Sequence, residues 1–522
     1  MSELLSIKHL VVSFPGYGEL VRDVSFTLHR QERLGILGRS GAGKSLTAWA
    51  VTSVLPGRPE VRGEIWYTDT TGDEIDLLRD RQARLRILGR AIGIIPQNPF
   101  TSLNPAIACG KQVSETLASV VGNAALRKQC VLDRFTEVSL EQPERIYHAF
   151  PHELSGGQLQ RVVTAMATIN NPQLIIADEP TTALDTITQE AVLSWLFAWA
   201  TKHASAVMFI SHDLALLNRF CDRICVMEEG QLISECSRGQ LNDPAIQPFI
   251  DQRPERLALT KGTAKTDGAQ PRLVVAGLSK TFQADSGVEV RAVHDVSFDL
   301  YAGECVGLVG GTGCGKSTIA RILAGLLSAD TGQIRLSGEA LHNERTRIQR
   351  RSLQMVFQDP YSALYPHYTV GAFLREALLL HNMCKANAVV ERVREVLETV
   401  GLPAGYADKY PDELSGGERQ RVQIARAVSV EPQVLICDES VSGLDVAAQA
   451  RILGLLRAIC NHSDVALLFI SHDLSVVRSI ADRVMVMEAG QIVESGRIDE
   501  VLDHPGHPVT QRLISVIPAL NH

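Results

Sequence analysis

The sequence predicts an α/β chain built from two tandem copies of one domain, and three repeated patterns support this prediction. A glycine-rich loop follows a short apolar strand twice, a Leu-Ser-Gly-Gly stretch opens a helical pattern twice, and an apolar run ends in Asp-Glu twice. The serine of that stretch precedes the Asp by 23 residues in both copies (155 to 178 and 415 to 438). We expect each copy to contain a mostly parallel core sheet, an antiparallel β edge and a helical subdomain.

The length of 522 residues is comfortable for two domains. We expect a first domain over residues 1–250, a flexible linker over 251–271 and a second domain over 272–522, because the segment between the copies is polar and aperiodic. The Asp-Glu pairs are offset by 260 residues (178 to 438), but the glycine-rich loops by 272 (44 to 316). The extra residues fall mostly between 63 and 90, in a charged stretch that we interpret as a surface elaboration.

Composition excludes some classes of function. A net charge of −8 gives no support to a protein that coats nucleic acid. The ten cysteines are scattered, and several lie in apolar runs, so a disulfide framework is not expected. No apolar run approaches the 18 residues that a membrane helix needs, so any membrane crossing would fall to other chains.

Both glycine-rich loops fit the pattern G-x-x-x-x-G-K-[ST] between a strand and a helix. Their glycines let backbone N–H groups surround phosphates, the lysine places a positive charge on the β and γ oxygens, and the serine hydroxyl (Ser45 or Ser317) is a Mg²⁺ ligand. A chance glycine-rich turn is the alternative, and two matches in the same context make it a poor explanation. The predicted nucleotide-binding residues here are Gly38, Arg39, Ser40, Gly41, Ala42, Gly43, Lys44 and Ser45, with Gly310, Gly311, Thr312, Gly313, Cys314, Gly315, Lys316 and Ser317.

Each apolar run that ends in Asp-Glu predicts a buried parallel strand with two carboxylates at its carboxyl end, where ligands bind in open α/β sheets. The first acid, Asp178 or Asp438, is suited to orienting Mg²⁺. The second acid, Glu179 or Glu439, is suited to polarising a water molecule in line with a γ-phosphate. A structural alternative is that the two glutamates only cap the following loop.

Two further side chains end predicted core strands in each copy. Gln97 and Gln358 lie between the phosphate loop and the Ser-Gly-Gly stretch, where an amide could hold both a Mg²⁺-bound water and the attacking water. His212 and His472 follow the Asp by 34 residues in both copies (178 to 212 and 438 to 472), which favours contact with the γ-phosphate. A solvated glutamine and a structural histidine are the ordinary alternatives.

The Leu-Ser-Gly-Gly stretch leaves backbone N–H groups uncovered at the positive end of the helix that follows. This arrangement is suited to a phosphate group. An isolated Ser-Gly-Gly is usually only a turn, so the repetition carries the prediction. The predicted residues are Ser155, Gly156, Gly157 and Gln158 in the first copy and Ser415, Gly416, Gly417 and Glu418 in the second.

Together, these motifs resemble those of the ATP-binding-cassette (ABC) ATPases. The motifs are the phosphate loop, the glutamine, the Leu-Ser-Gly-Gly signature, the Asp-Glu pair, Ala183-Leu-Asp185 with Gly443-Leu-Asp445, and the histidine. The resemblance covers nearly the whole chain, and the signature is its specific part. It implies two ABC-type P-loop NTPase domains that bind ATP and Mg²⁺ and hydrolyse the ATP.

In that family two cassettes pack head to tail, so this resemblance implies intramolecular pairing. ATP at the loop of Lys44 would be covered by the signature of Ser415, and ATP at the loop of Lys316 by the signature of Ser155. Phe14 and Phe282 fall where the family stacks an aromatic ring on adenine; a core position is the alternative for both.

The two sites retain the same motifs, so we expect both to hydrolyse ATP. The signatures differ only in Gln158 against Glu418. We expect the extra negative charge of Glu418 near the phosphates to slow the first site.

The segments after each glutamine, 98–105 and 359–366, and the tail 504–518 resemble the peptide/nickel importer branch of the family. That branch implies a chain at the cytoplasmic face of the inner membrane, peripheral to it, with two transmembrane permease subunits and, through them, an extracytoplasmic solute-binding protein. The cargo would be peptides, nickel or a related small solute or chelate. Many members also hold an iron–sulfur centre in a cysteine cluster, and no such cluster follows Asp243 or Pro508.

A soluble ABC ATPase that acts on the ribosome or on DNA is the alternative function. Translation factors of the family have a long, charged, helical linker, and DNA-repair relatives carry coiled-coil or zinc-hook insertions. Neither feature is present in this sequence. We therefore expect no nucleic-acid partner.

Overall fold

The structure is a computed structural model that describes residues 2–118, 120–181, 184–257, 259, 269–283, 289–359 and 361–517. The chain divides into two compact units, which meet in sequence between Asp251 and Gln252. Each unit is described by itself.

The first unit contains two sheets. A six-stranded sheet has the order β10-β9-β3-β8-β7-β6, in which β9, β3, β8, β7 and β6 are parallel and β10 is antiparallel to β9. A four-stranded antiparallel sheet has the order β2-β1-β4-β5. The strands are β1 (Glu3–Phe14), β2 (Gly18–His29), β3 (Arg33–Gly38), β4 (Glu60–Thr68), β5 (Glu74–Asp76), β6 (Ile92–Ile95), β7 (Leu174–Asp178), β8 (Ala206–Ser211), β9 (Arg223–Glu228) and β10 (Gln231–Ser237).

Some helices of the first unit cover the parallel sheet, and those between β6 and β7 in sequence form the predicted helical subdomain. The helices of the whole unit are α1 (Lys44–Thr52), α2 (Arg81–Ile87), α3 (Pro99–Ser102), α4 (Cys109–Thr116), α5 (Ala124–Glu137), α6 (Pro143–His148), α7 (Gly156–Thr168), α8 (Thr186–Lys202), α9 (Leu214–Phe220) and α10 (Gln247–Asp251).

The central strands of the parallel sheet are buried on both faces, as their uninterrupted apolar sequences predict. Alternate residues enter two separate cores because successive side chains point to opposite faces of a sheet. On β8, Met208 joins the core that includes the antiparallel sheet, whereas Phe209 joins the core that includes α8 and the helical subdomain. Because β3, β8 and β7 are parallel neighbours, their carboxyl ends lie side by side at one edge of the sheet.

The second unit repeats this architecture, with the orders β16-β17-β18-β13-β19-β20 and β12-β11-β14-β15. The strands are β11 (Leu273–Gln283), β12 (Glu289–Leu300), β13 (Cys305–Gly310), β14 (Thr331–Leu336), β15 (Glu339–Leu341), β16 (Leu353–Val356), β17 (Val434–Asp438), β18 (Ala466–Ser471), β19 (Arg483–Glu488) and β20 (Gln491–Arg497). The helices are α11 (Lys316–Ala324), α12 (Arg347–Ser352), α13 (Val370–Leu380), α14 (Val389–Thr399), α15 (Gly416–Ser429), α16 (Val446–Ser463), α17 (Leu474–Ile480), α18 (Ile498–Asp503) and α19 (Pro508–Ser515). The predicted α/β class with a parallel core and antiparallel strands is confirmed.

Part of the extra length of the first copy lies in a hairpin loop, and part lies between α2 and β6, whereas α12 runs directly into β16. Residues 69–73, of which 70–73 are exposed, separate β4 from β5, whereas only residues 337 and 338 separate β14 from β15. The start of the predicted linker is ordered, because Pro254–Arg256 form a 3₁₀ turn that packs on α17 and α16. Residues 258 and 260–268 lie outside the described residues, so the flexible linker stays a prediction.

Within the ranges given above, no helix is long and apolar enough to cross a lipid bilayer. All ten cysteines carry free thiols. No group of three or more potential metal ligands of the His, Cys, Asp and Glu types occurs in the described part of the chain.

Candidate functional site

The two glycine-rich loops connect β3 to α1 and β13 to α11, as predicted. Gly41 and Gly43 have φ values of 83° and 91°, in the left-handed region that favours glycine. A Cβ atom at Gly38 would lie 2.6 Å from the carbonyl oxygen of Met227, so the loop packs against β9 too closely for any side chain. These glycines leave the backbone N–H groups of the loop uncovered by side chains.

The loop lysines fold back over their own loops. Lys44 Nζ donates to the carbonyl oxygens of Gly38 at 2.8 Å and Arg39 at 3.0 Å. Lys316 Nζ donates equivalently to Gly310 at 2.8 Å and Gly311 at 3.0 Å. Both ammonium groups are therefore held at the mouth of the loop by neutral acceptors.

The Asp that ends each apolar strand meets the loop serine. The Ser45 hydroxyl donates to Asp178 Oδ1 at 2.9 Å, and the Ser317 hydroxyl donates to Asp438 Oδ1 at 3.2 Å. Burial raises the pKa of Asp178 to about 6 against the opposing effect of the Ser45 bond, and burial also raises the pKa of Asp438. Asp178 Oδ2 is buried and has no hydrogen-bond partner among the described residues. An unsatisfied carboxylate oxygen beside a serine hydroxyl fits a Mg²⁺ ligand set.

The Glu that follows turns away from the strand. Glu179 and Glu439 have φ values of 43° and 47°, a left-handed conformation that is uncommon for residues with a side chain. Their backbone N–H groups donate to the carbonyl oxygens of Ile210 and Ile470 at 3.0 Å, which anchors the turn to the neighbouring strand. Backbone outliers of this kind cluster at functional sites.

Three predicted side chains converge on the Glu179 carboxylate. Gln97 Nε2 donates to Oε2 at 3.1 Å, His212 Nδ1 lies 3.3 Å from Oε1, and Lys44 Nζ lies 3.8 Å from Oε1. In the second unit, Gln358 Nε2 donates to Glu439 Oε2 at 2.7 Å, and His472 Nδ1 lies 3.4 Å from Oε1. The structure therefore brings the loop, both acids, the glutamine and the histidine of each unit into one cluster.

Both histidines are held close to a negative charge. Burial lowers the pKa of His212, but the hydrogen bond and charge of Glu179 outweigh it, so the net shift is upward. Burial and Glu439 act on the pKa of His472 in the same way. In both units, the histidine Nδ1 therefore has an acidic partner.

The signatures begin α7 and α15 as capping boxes. Ser155 Oγ accepts from Gln158 N–H at 3.3 Å, and Gln158 Oε1 accepts from Ser155 N–H at 3.1 Å. Ser415 and Glu418 repeat this pair, and Tyr406 Oη also donates to Glu418 Oε1 at 2.7 Å. Sequence reasoning missed Tyr406, which lies 12 residues before Glu418; a carboxylate in place of an amide was the one signal that a donor was needed.

The two aromatic candidates differ in exposure. Phe14 lies opposite Gly18 in its hairpin and is half-buried against the core, whereas Phe282 lies opposite Val290 and is 40% exposed. Phe282 also has the Lys280 ammonium group 5.7 Å from its ring centre. Phe282 presents a stacking surface, and Phe14 packs in part against the core. Within Ala183-Leu-Asp185, Ala183 lies outside the described residues.

Comparison with known proteins identifies the family. The family model described as "ABC transporter" matches residues 21–182 and 293–442. The chain belongs to the ABC transporter family. This confirms two cassettes, ATP binding and an ATPase activity coupled to transport. Such ATPases work with membrane permease partners and are associated with the membrane through them.

Several relatives match almost the whole chain. It is similar to the glutathione import ATP-binding protein GsiA of Pectobacterium atrosepticum, with 37% identity over 99% of this chain and 89% of that protein. The protein of the same name from Salmonella typhimurium is 36% identical over 99% of this chain and 90% of that protein. The one from Escherichia coli O157:H7 is 36% identical over 95% of this chain and 86% of that protein. Among solved structures, cbiO1 of Clostridium perfringens, part of the ABC transporter complex cbiONQ, aligns with 45% of this chain and 91% of its own at 28% identity and a TM-score of 0.40.

Proposed function

We propose that this chain is the ATP-hydrolysing subunit of an importer for glutathione or chemically similar small peptides. The observation that carries the proposal is the 37% identity with a glutathione import ATP-binding protein over 99% of this chain. None of the three relatives described above is named for nickel, so peptide import is favoured over nickel import within the predicted branch.

In each site, the loop amides and the lysine hold the phosphates. Ser45, Gln97 and Asp178 are proposed as the Mg²⁺ ligands of the first unit, with Ser317, Gln358 and Asp438 in the second. When bound, Mg²⁺ neutralises charge on the phosphate oxygens. Lys44 exchanges its bonds to Gly38 and Arg39 for phosphate oxygens, which are stronger, charged acceptors.

Glu179 and Glu439 act as general bases that orient the attacking water and accept its proton. Gln97 and His212 reach the Glu179 carboxylate from opposite oxygens, so they fix its plane before nucleotide binds. Because the carboxylate is only 12% exposed, its charge is weakly screened and acts strongly on a bound water molecule.

The two cassettes pair head to tail, so that each signature covers the nucleotide on the other phosphate loop. The N–H groups at the start of α7 and α15 then point at the phosphates with the positive end of each helix dipole. Phe282 stacks on adenine in the second site. Phe14 is the corresponding residue of the first site.

The chain lies at the cytoplasmic face of the inner membrane, where two permease subunits dock near Gln97 and Gln358 and receive cargo from an extracytoplasmic solute-binding protein. Exposed aromatic residues follow each glutamine: Phe100 is 54% exposed, and Tyr361 and Tyr365 are 51% and 60% exposed. Aromatic side chains are enriched in the buried centres of protein–protein interfaces, so these residues are suited to contact with a permease subunit.

The test is co-purification followed by transport. We expect the tagged full chain to recover two multi-spanning proteins from detergent-solubilised membranes. After reconstitution of that complex with its binding protein, vesicles should take up labelled glutathione when ATP is supplied on the side of this chain. The chain with both Glu179→Gln and Glu439→Gln should bind the same partners without uptake.

Uptake of a nickel chelate but not of glutathione or other short peptides would contradict the proposed cargo and leave the importer assignment intact. Recovery of ribosomes or DNA without a membrane partner would contradict the whole proposal.

A further inference from the structure

The two signature serines have different hydrogen-bond partners. The Ser155 hydroxyl accepts from Gln158 N–H at 3.3 Å, and its own proton has no acceptor within the described residues. The Ser415 hydroxyl also accepts, from Glu418 N–H at 3.4 Å, but it donates its proton to Glu418 Oε2 at 2.8 Å. The serines therefore differ in whether a proton is available for a ligand.

Tyr406 forms a second contact with the Glu418 carboxylate that the described part of the first unit lacks. Its hydroxyl donates to Glu418 Oε1 at 2.7 Å, while Glu418 Oε2 receives both the N–H and the O–H of Ser415 at 2.8 Å. Both carboxylate oxygens are thus engaged within the second unit. By the repeat of 260 residues, the position of Tyr406 corresponds to Ile146, which is buried in the helical subdomain and has no hydroxyl.

A serine hydroxyl has one proton, so it cannot donate to a carboxylate and to a phosphate together. The bond to Glu418 is charge-assisted and therefore roughly twice as strong as a neutral one. A phosphate oxygen would have to displace that carboxylate to gain the proton of Ser415, whereas Ser155 can donate without breaking any such bond.

We infer that the hydrogen-bond chain Tyr406–Glu418–Ser415 withholds the Ser415 proton from the phosphate that the second signature covers, so that ATP bound at the Lys44 loop is hydrolysed more slowly than ATP bound at the Lys316 loop. The inference depends on the head-to-tail pairing proposed above. Glu418 and Tyr406 act as positioning residues through Ser415.

This mechanism differs from the direct charge effect expected from the sequence. Burial raises the pKa of Glu418, but hydrogen bonds from Tyr406 and Ser415 and the charge of Lys409 outweigh it and lower the pKa overall. The carboxylate is therefore ionised at neutral pH, and its charge is directed into contacts of its own unit. The nucleotide is therefore affected because it lacks one hydrogen-bond donor, the hydroxyl of Ser415.

The test measures hydrolysis at one site at a time in the full chain. Glu439→Gln leaves the Lys44 site active, and Glu179→Gln leaves the Lys316 site active. In these backgrounds we expect Ser155→Ala to slow single-turnover hydrolysis at the Lys316 site by ~10-fold, since a hydrogen bond to a charged group is lost. Ser415→Ala should slow the Lys44 site by less than ~3-fold, because the hydroxyl proton was already withheld.

Glu418→Gln should accelerate the Lys44 site several-fold, and Ser415→Ala should then cost as much as Ser155→Ala does. Tyr406→Phe should shift the Lys44 site in the same direction by a smaller factor, because the carboxylate loses one restraint. Tyr410→Phe, at a neighbouring tyrosine that is 47% exposed, should have no effect. A purely structural role for Glu418 would not make the cost of Ser415→Ala depend on residue 418.

If Ser415→Ala and Ser155→Ala slowed hydrolysis at their respective sites by the same factor in the chain that keeps Glu418, the inference would be overturned and the pairing would stand. If neither serine affected hydrolysis, the head-to-tail pairing itself would fall, and the inference with it.

Discussion

His212 contacts the carboxylate of Glu179 through Nδ1 at 3.3 Å. The ring and the carboxylate come from the ends of adjacent parallel strands, β8 and β7, so the sheet itself fixes their separation. The same contact in the second unit measures 3.4 Å between His472 and Glu439. Each unit thus assembles its proposed base and histidine from its own sheet.

The proposed bases are the first targets for mutation. We expect Glu179→Gln and Glu439→Gln together to lower ATP turnover by about 10²–10⁴-fold, because positioned proton acceptors contribute that much. ATP binding should be retained, since the loop amides and lysines are unchanged. Steady-state ATPase rates and equilibrium nucleotide binding measure both effects. Glu74→Gln, at an exposed position of β5, serves as the control and should leave both unchanged.

In the Glu439→Gln background, which isolates the first site, His212→Ala should lower kcat by roughly 10-fold or more, because the Glu179 carboxylate loses one of the groups that orient it. His9→Ala is a suitable control, since the His9 side chain is 81% exposed and pairs with Asp23 at the surface. Retained kcat after loss of His212 would show that the ring does not contribute to the chemistry of the first site.

Asp178→Asn should raise the Mg²⁺ concentration needed for half-maximal ATPase activity at least ~10-fold. Mutating residues that merely support a metal ligand already lowers metal affinity about 10-fold or more, so losing a ligand itself should lower it at least as much. The readout is a Mg²⁺ titration at saturating ATP in the Glu439→Gln background, which isolates the first site. Asp133→Asn, at an exposed helix position, should not move the midpoint. An unchanged midpoint for Asp178→Asn would remove this aspartate from the proposed ligand set.

The two aromatic candidates should respond in different ways. Phe282→Ala should raise the KM for ATP at the second site with little loss of stability, because the ring is 40% exposed. Phe14→Ala should lower the free energy of unfolding of the first unit by about 1–3 kcal/mol, since part of the ring packs against the core. Calorimetry and the KM for ATP at each site separate these effects, and the opposite pattern would reverse the two roles.

Much of this arrangement was predictable because it depends on local pattern. Continuous apolar runs located the central strands, and the residues after them, such as Asp178 and His212, had to meet at one edge because parallel strands end together. The glycines of Gly38–Ser45 predicted the loop for an equally local reason, which is the backbone conformation that they permit.

Other features depend on packing between residues distant in sequence or on small differences in exposure. The bond from Tyr406 to Glu418 requires the 3₁₀ turn at Ala404–Asp408 to pack beside α15, and no periodicity in the sequence specifies this. Phe14 and Phe282 both lie near the tip of the first hairpin of their unit, yet Phe14 is half-buried against the core and Phe282 is 40% exposed. Sequence alone also could not show that Glu179 has a positive φ.

That backbone conformation at Glu179 and Glu439 sets a limit on engineering the chain for heat resistance. A left-handed φ costs a residue with a Cβ atom roughly 1–2 kcal/mol and costs glycine or asparagine less. Selection for thermal stability alone would therefore favour glycine or asparagine at these two positions and would remove both proposed bases in doing so. At one residue in each cassette, the change that favours stability removes turnover, so stabilising substitutions should be chosen at positions other than Glu179 and Glu439.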